Sequence, residues 1–417
     1  MPILQFCPWI AVQSALFLKI MKTISTTALF SGFAIGLSLL APSAQAFEIQ
    51  SATFIGQQTL PNNAPIAGNP PSNLNGLSGL TYAGNDLYYA ITDNAPTGNA
   101  RVHKLTIKIQ GNTVQVTPGS TSYLKTNTGA NISAQALDNE GIALTRDGKL
   151  WISSEGYITR NPVVNPTINQ FSVTTGQQLT SLPIDAKFKA TFDTNGNQRT
   201  GIQSNRGFEG LTITPDNRYL AAMTESAIIT DGTQKLLKNT LTNPNEFKRS
   251  RLVRYDLQTQ GSQEFLYNAD TIPVNIFAPG LTAVSEILAL DSTGNRYLAL
   301  ERTYVQQSSS TGVFSAKLYE FDLQGATDIK TLNAASSSIV PTKKQLVFDF
   351  STLKIKMPNL EAMTWGPVLP NGQRSLILVS DNNYNSASTT GPTVNNTQFF
   401  VLGIGMKPTT TILNTKP

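Results

Sequence analysis

One cysteine and one histidine, Cys7 and His103, occur in a chain of 417 residues. No Cys/His zinc site, disulfide framework, Cys-His dyad or multi-histidine metal centre can be assembled from one such chain. Charge is scarce too: 14% of residues are Asp, Glu, Lys or Arg, against about 25% in ordinary globular chains. Few of the residues that helices favour, set beside 30 Gly, 23 Pro and abundant Thr, Asn, Ser and Gln, point to many short strands joined by tight turns. The 31 Lys+Arg exceed the 26 Asp+Glu by only +5, with Lys19 and Lys22 in the N-terminal leader, so the chain lacks the dense basic tract of a nucleic-acid binder. There is no Gly-x-Ser-x-Gly elbow, P-loop or dinucleotide glycine pattern. Gly76-Leu77-Ser78-Gly79 has the wrong spacing for the first, and a serine triad would have to use His103. Histidine acid phosphatase chemistry lacks its histidines.

What is present begins with a leader. Residues 21–46 start at Met21-Lys22, run through an apolar stretch containing Leu29, Phe33, Ile35, Leu37 and Leu40, and end on Ala44-Gln45-Ala46 before Phe47. The small-x-small triplet and the short apolar run have the form of a secretory signal peptide, with Met21 as the true start, since a membrane span needs about 20 apolar residues. A rival reading joins residues 8–41 into a membrane anchor, but Lys19 and Lys22 interrupt it. The expectation is a leader over residues 1–46 and one domain over 47–417, secreted or periplasmic, with no stable membrane span after cleavage and no thiol once Cys7 is removed.

The body repeats. Five segments share the order apolar run, turn, apolar run, polar end: Ser78 to Asp93, Glu140 to Glu155, Glu209 to Glu225, Glu286 to Glu301 and Glu361 to Asp381. Their turns carry Asn85-Asp86, Asp147-Gly148, Asp216-Asn217, Gly294-Asn295 and Asn371-Gly372, residues that tolerate positive φ in tight hairpins. Each turn lies near the midpoint of its segment. In an antiparallel hairpin, residues equidistant from the turn face each other, so the two polar ends are expected side by side. Alternating strands such as residues 102–109, 252–257 and 317–322 follow the hairpins and suit the outer half of a sheet. Radial repetition of such sheets is an all-β propeller of four-stranded blades. Five are counted, with six also admissible, and residues 47–60 are placed to close the last blade beside residues 398–404.

The series Asn139-Glu140-Gly141-Ile142, Phe208-Glu209-Gly210-Leu211, Trp151-Ile152-Ser153-Ser154-Glu155, Met223-Thr224-Glu225, Leu360-Glu361-Ala362-Met363 and Ser380-Asp381-Asn382-Asn383-Tyr384 resembles the phytase-like family of secreted bacterial propellers. Its members are described as having esterase-like activity of the phytase family, and the resemblance covers about residues 50–405. It implies a propeller and a hydrolytic site. Alkaline phytases, relatives by name, are calcium-dependent propellers that bind phosphate through acid-held calcium and basic side chains, and no residue is carried over from them. Fold alone does not fix the reaction.

Nine acids stand at the repeat ends. If these ends gather at one mouth of the channel, like charges must be relieved by raised pKa values, arginines or bound cations. Hard oxygen ligands suit Ca²⁺ or Mg²⁺. On this reading Asp93, Glu155, Glu225, Glu301 and Asp381 hold metal, Glu140, Glu209, Glu286 and Glu361 activate water, and Arg206 and Arg302 orient a phosphate ester or other small ester. The structural alternative is that a Glu repeated in each blade accepts backbone N–H groups of its neighbour, and that the arginines, Arg160 included, neutralise adjacent acids. Lys248-Arg249-Ser250-Arg251 is expected to be a solvated strand edge. His103 is expected at the surface or loosely packed, and Trp151 and Trp365 in the core. The protein is expected to be a monomer. A non-catalytic propeller binding a ligand or envelope partner, and a calcium-dependent lactonase, remain open beside the hydrolase.

Overall fold

The reversals behave as their residues require. Asn85 and Asp86 both adopt positive φ, and Gly148, Asn217, Gly294 and Gly372 do so at the other four turns, a conformation that Gly reaches without strain and Asn or Asp at small cost. The computed structural model describes residues 48–407 except 62, 67–71, 94–96, 232–247, 271–279, 307–311, 335 and 386–395. The leader and its cleavage site lie outside the described residues.

Each hairpin forms the inner half of a four-stranded antiparallel sheet. The first blade comprises Leu77–Gly84, Leu87–Thr92, Arg101–Gln110 and Thr113–Tyr123. The second comprises Asn139–Leu144, Lys149–Ser154, Thr167–Ser172 and Gln178–Ser181, and the third Phe208–Ile213, Tyr219–Thr224, Arg249–Asp256 and Ser262–Asn268. The fourth is built from Gly280–Ala289, Arg296–Gln306, Gly312–Asp322 and Lys343–Asp349. The fifth takes Asn359–Val368, Arg374–Asp381 and Gln398–Met406 from the C-terminal part and Ile49–Thr59 from the N-terminal part. Each innermost strand packs on that of the next blade, and the fifth packs on the first. The ring is a five-bladed propeller, closed by antiparallel pairing of Ile49–Thr59 with Gln398–Met406. The buried Glu320 carboxylate fastens the start of that closing strand, accepting the amides of Glu48 at 2.8 Å and Ile49 at 2.9 Å.

Inner strands are buried along most of their length, whereas Arg101–Gln110 alternates buried and exposed positions, as a strand with one core face must. The core lies between blades: Trp151 and Ile168 of the second pack with Phe208, Leu211 and Val253 of the third. Gly141 and Gly210 permit the close approach at the centre, since a Cβ on Gly141 would stand 2.4 Å from Leu211 Cβ and one on Gly210 2.6 Å from Ile287 N.

Two surface expectations are corrected. His103 is wholly buried, with Nδ1 2.9 Å from Thr121 Oγ1, and burial, with Arg101 nearby, presses its pKa down to about 3. It sits on the inward face of its strand as a neutral imidazole. Arg251 is 1% exposed, not a solvated edge. Its guanidinium donates to both Asp231 oxygens, to Glu264 and to the Ile329 and Leu332 carbonyls. Adjacent residues point to opposite faces of a strand, and Ser250 and Arg251 are both buried, so both faces of the run are covered there.

Candidate functional site

Each inner strand carries a β-bulge at the end away from its turn. In the first, third, fourth and fifth blades the extra residue is Ser78, Glu209, Ser285 and Glu361, and in the second the irregularity spans Glu140 and Gly141. A bulge re-aims side chains and displaces the pairing by one residue. Glu140 therefore does not face Glu155, as symmetric pairing had suggested. The Glu155 amide instead donates to the Asp138 carbonyl, just as Asp93 N meets Gly76 O and Glu225 N meets Gly207 O. Asp138 and Glu155 thus lie opposite each other with Glu140 two residues on, and one carboxylate oxygen from each of the three falls within 4.8 Å of the others.

The bulges gather eight carboxylates at one mouth: Asp93, Asp138, Glu140, Glu155, Glu209, Glu225, Glu361 and Asp381 act electrostatically on one another in an unbroken chain. Burial pushes Asp93, Glu140, Glu155 and Glu209 well above the usual carboxylate range, and the neighbouring acids push them further. Burial raises Glu361 to about 7 against the pull of Arg302, and Asp381 to about 6 against the Asn383 amide and Arg302. Some of these acids have partners, such as Glu155, which accepts the Gly207 amide at 2.9 Å. No donor among the described residues meets the side chain of Glu140 or Glu209, and Glu361 Oε2 is buried without a hydrogen bond.

The fourth blade departs from the others by one residue. Val284 pairs with Glu301 and Glu286 with Leu300, so Ser285 occupies the bulge that Glu209 and Glu361 hold elsewhere. Arg302, not Glu301, therefore follows the second strand into the place of Asp93, Glu155, Glu225 and Asp381. There it donates to Glu225 Oε1 at 2.6 Å, to Asn359 Oδ1 at 2.8 Å and to Glu361. Burial opposes its charge, yet Glu361 and Glu225 hold its pKa above the ordinary arginine value. Arg302 is thus locked among carboxylates, which leaves it poorly placed to orient a substrate. Arg206 reaches the same mouth more loosely, 3.5 Å from Glu225.

Two acids expected at the mouth are employed elsewhere. Glu286 stands where other blades have Gly79, Gly141 and Gly210, and its carboxylate accepts the Leu211 amide at 2.9 Å and the Ile287 and Met363 amides. That is the structural role weighed from sequence. Glu301 turns outward, accepting Tyr267 Oη–H at 2.6 Å, the Asp270 amide at 2.8 Å and the Lys344 ammonium. Arg160 stacks on Tyr157, 4.4 Å from its ring centre, and donates to the Gln135 carbonyl.

Asp138 and Tyr384 were missed as site residues. Asp138 immediately precedes Asn139-Glu140, and only the bulge reveals that it opposes Glu155. Tyr384, left-handed at φ 52°, reaches Asp93 across the junction of the fifth and first blades. Asn382 fixes that junction, its Oδ1 accepting the Gly76 amide at 3.0 Å.

These residues fit a hard divalent cation, because three carboxylate oxygens already converge and the surrounding acids outnumber the two guanidiniums. Among the described residues no helix is long and apolar enough to cross a membrane.

The chain is similar to an uncharacterized secreted protein of Arthroderma benhamiae, 29% identical over 141 residues, which is 29% of this chain and 24% of that protein. It thus spans about a quarter of that relative. Among solved structures, the Dos1 propeller aligns over 81% of this chain and 70% of its own at 9% identity and a TM-score of 0.33. The soluble aldose sugar dehydrogenase of Escherichia coli aligns over 83% and 99% at 7% identity and a TM-score of 0.34. Likenesses so distant carry no argument about chemistry. The family model described as phytase-like, esterase-like activity of phytase, matches residues 72–384, and with most of the propeller inside that match, the chain belongs to the phytase-like family.

Proposed function

We propose that the acidic mouth binds a divalent cation, Ca²⁺ or Mg²⁺, and hydrolyses a phosphate ester or another small ester. The observation that carries this reading is the convergence of Asp138, Glu140 and Glu155 within 4.8 Å, inside a ring of carboxylates that is not neutralised by its own arginines. Asp138, Glu140 and Glu155 would hold the cation. Such a cation supplies positive charge for an anionic or polarised ester oxygen and makes bound water more acidic.

The remaining residues act as proton and charge carriers. Glu361, with its pKa at about 7, changes protonation at neutral pH and is the candidate to give or take a proton. Glu209 faces the same mouth without a hydrogen-bond donor among the described residues and is the second candidate. Asp93 and Asp381 shape the first-blade side, with Tyr384 held against Asp93. Arg302 holds Glu225 and Glu361 in place, leaving Arg206 to meet an anionic substrate. His103, buried in the first blade, takes no part. The leader and the secreted relative support secretion or a periplasmic location.

Metal analysis of the purified protein, melting curves with EDTA and with added Ca²⁺ or Mg²⁺, and a panel of phosphate, acyl ester and lactone substrates test the proposal. Bound metal, a melting shift and cation-dependent turnover of a phosphate or acyl ester are expected. Cation binding without turnover would leave a ligand-binding propeller, turnover confined to lactones would reassign the reaction, and absence of both binding and turnover would overturn the reading.

A further inference from the structure

The same five inner strands that bring acids to one mouth line a second, half-open cavity at their turn ends. It has a volume of about 200 Å³ and is lined by residues of every blade, among them Tyr82, Leu144, Ile213, Leu288, Trp365 and Arg374. From Glu361 to Trp365 is four residues along one strand, roughly 13 Å, so this is the opposite end of the channel. Its chemistry is opposite as well: no Asp or Glu lines it, and both charged residues in its wall, Arg146 and Arg374, are arginines.

The Arg374 guanidinium has no hydrogen bond or ion pair to any described residue. Its guanidinium lies 4.4 Å from the ring centre of Trp365, whose own Nε1 donates to the Ala289 carbonyl at 3.1 Å and fixes the indole across the fourth and fifth blades. Burial presses the guanidinium down to about 10, and no neighbouring acid pulls it back. A partly buried arginine lacking an anion beside a half-open cavity is an incomplete ion pair. Three hydroxyls stand in the same wall. Thr81, Thr212 and Thr364 accept the amides of Leu144, Ala289 and Tyr82 in the adjoining blade, at 3.2, 2.9 and 3.2 Å, and their protons meet no acceptor among the described residues.

We propose that this end of the channel binds a small organic carboxylate, with Arg374 meeting the carboxylate and the apolar strand ends surrounding its body. A monoanion matches one partly buried guanidinium, and the planar fork of arginine suits a carboxylate. A phosphate dianion would need a second partly buried cation, while Arg146 is exposed. At about 30 Å³ for each water-sized group, the space admits a ligand of benzoate size. The proposal is independent of the acidic mouth.

Benzoate, its neutral analogue benzamide and inorganic phosphate are titrated, in EDTA, into the full chain carrying Trp9→Phe and Trp151→Phe, so that Trp365 is the sole indole. Saturable quenching by benzoate is expected, with benzamide at least about tenfold weaker, as loss of a charge-assisted hydrogen bond requires, and no response to phosphate. Arg374→Gln should weaken benzoate to the level of benzamide, and Arg374→Lys should restore part of the affinity. Should Arg374→Gln fail to fold, the benzoate-to-benzamide ratio in the parent protein decides. Equal affinity for benzoate and benzamide, full affinity in a folded Arg374→Gln protein, preference for phosphate, or no saturable quenching would each overturn the proposal.

Discussion

Two regions of this propeller bury charge, and they do it differently. In the cluster around Arg251, the guanidinium and Lys187 face Asp231 and Glu264, so positive and negative charges match and carbonyls complete the remaining donors. At the channel mouth, eight carboxylates face Arg206 and Arg302. The first arrangement is complete by itself. The second acquires balance only by taking up protons or a cation. Buried charge that balances reads as architecture, whereas buried charge left over reads as a site.

The largest effect tests the balanced side. Arg251→Met should destabilise the protein by about 3–5 kcal/mol, because it strands buried Asp231 and leaves Glu264 only Lys187. Urea unfolding measures this, and a loss under about 1 kcal/mol would show that Asp231 tolerates solitude and would erase the contrast.

Next comes the pH response of the unbalanced side. Asp93, Glu140, Glu155, Glu209, Asp381 and Glu361 have folded pKa values above their unfolded ones, with Asp381 at about 6 and Glu361 at about 7. Their contribution is fully present below pH 4 and is lost as pH rises through those values, since the unfolded chain ionises freely while the folded mouth resists. In EDTA the melting temperature should therefore fall between pH 5 and pH 8. A cation at a hundredfold excess over its dissociation constant should return about 2.7 kcal/mol, chiefly at the alkaline end. A melting temperature that rises over this range in EDTA would contradict the surplus of buried acid.

Glu209→Gln separates the two regions by sign. Removing one of the surplus charges should stabilise the cation-free protein at pH 8 by about 1 kcal/mol, where the matching change in the Arg251 cluster, Glu264→Gln, should destabilise it. Opposed signs in paired urea titrations are expected, and a loss for both variants would mean that Glu209 is structural.

How much of this was legible in sequence follows from which interactions are local. Turn residues and apolar runs announce hairpins, and five hairpins of one type announce the propeller, because each signal is contained within about twenty residues. The closing strand was legible because residues 47–60 precede the first hairpin and are placed to close the last blade beside residues 398–404. The bulges were not, since Glu140-Gly141 and Glu209-Gly210 read as ordinary strand residues until their partners are known. In the fourth blade Glu286-Ile287-Leu288 imitates Glu209-Gly210-Leu211, yet the pairing of Val284 with Glu301 shifts it by one. That shift exchanges an acid for Arg302 at the mouth. His103 and Arg251 were misplaced for a related reason: a polar residue on the inward face of an outer strand is betrayed only by the partners that neighbouring strands and loops bring to it, Thr121 for one and Glu264 and Asp231 for the other.

The last comparison examines the fourth blade. If the register of Val284 with Glu301 governs function, Glu155 and Glu301, which sequence alone treats as equivalent, differ in kind. Glu155→Gln removes one of three converging oxygens and should weaken Ca²⁺ or Mg²⁺ binding by about tenfold or more, the scale of a lost charged ligand. Glu301→Gln should leave that affinity within about twofold, because its carboxylate is committed to Tyr267, Asp270 and Lys344 on the outer side, and the expected cost is instead about 1 kcal/mol of stability from the weakened hydrogen bonds. Calorimetric titration of both variants with Ca²⁺, beside their melting curves, measures the two quantities separately. Equal loss of cation affinity would return Glu301 to the mouth and remove the distinction between the fourth blade and the rest. Loss of affinity for Glu155 alone ties the cation to the bulge-set triad, because the two side chains share residue type and place in the repeat, and differ only in the register that aims them.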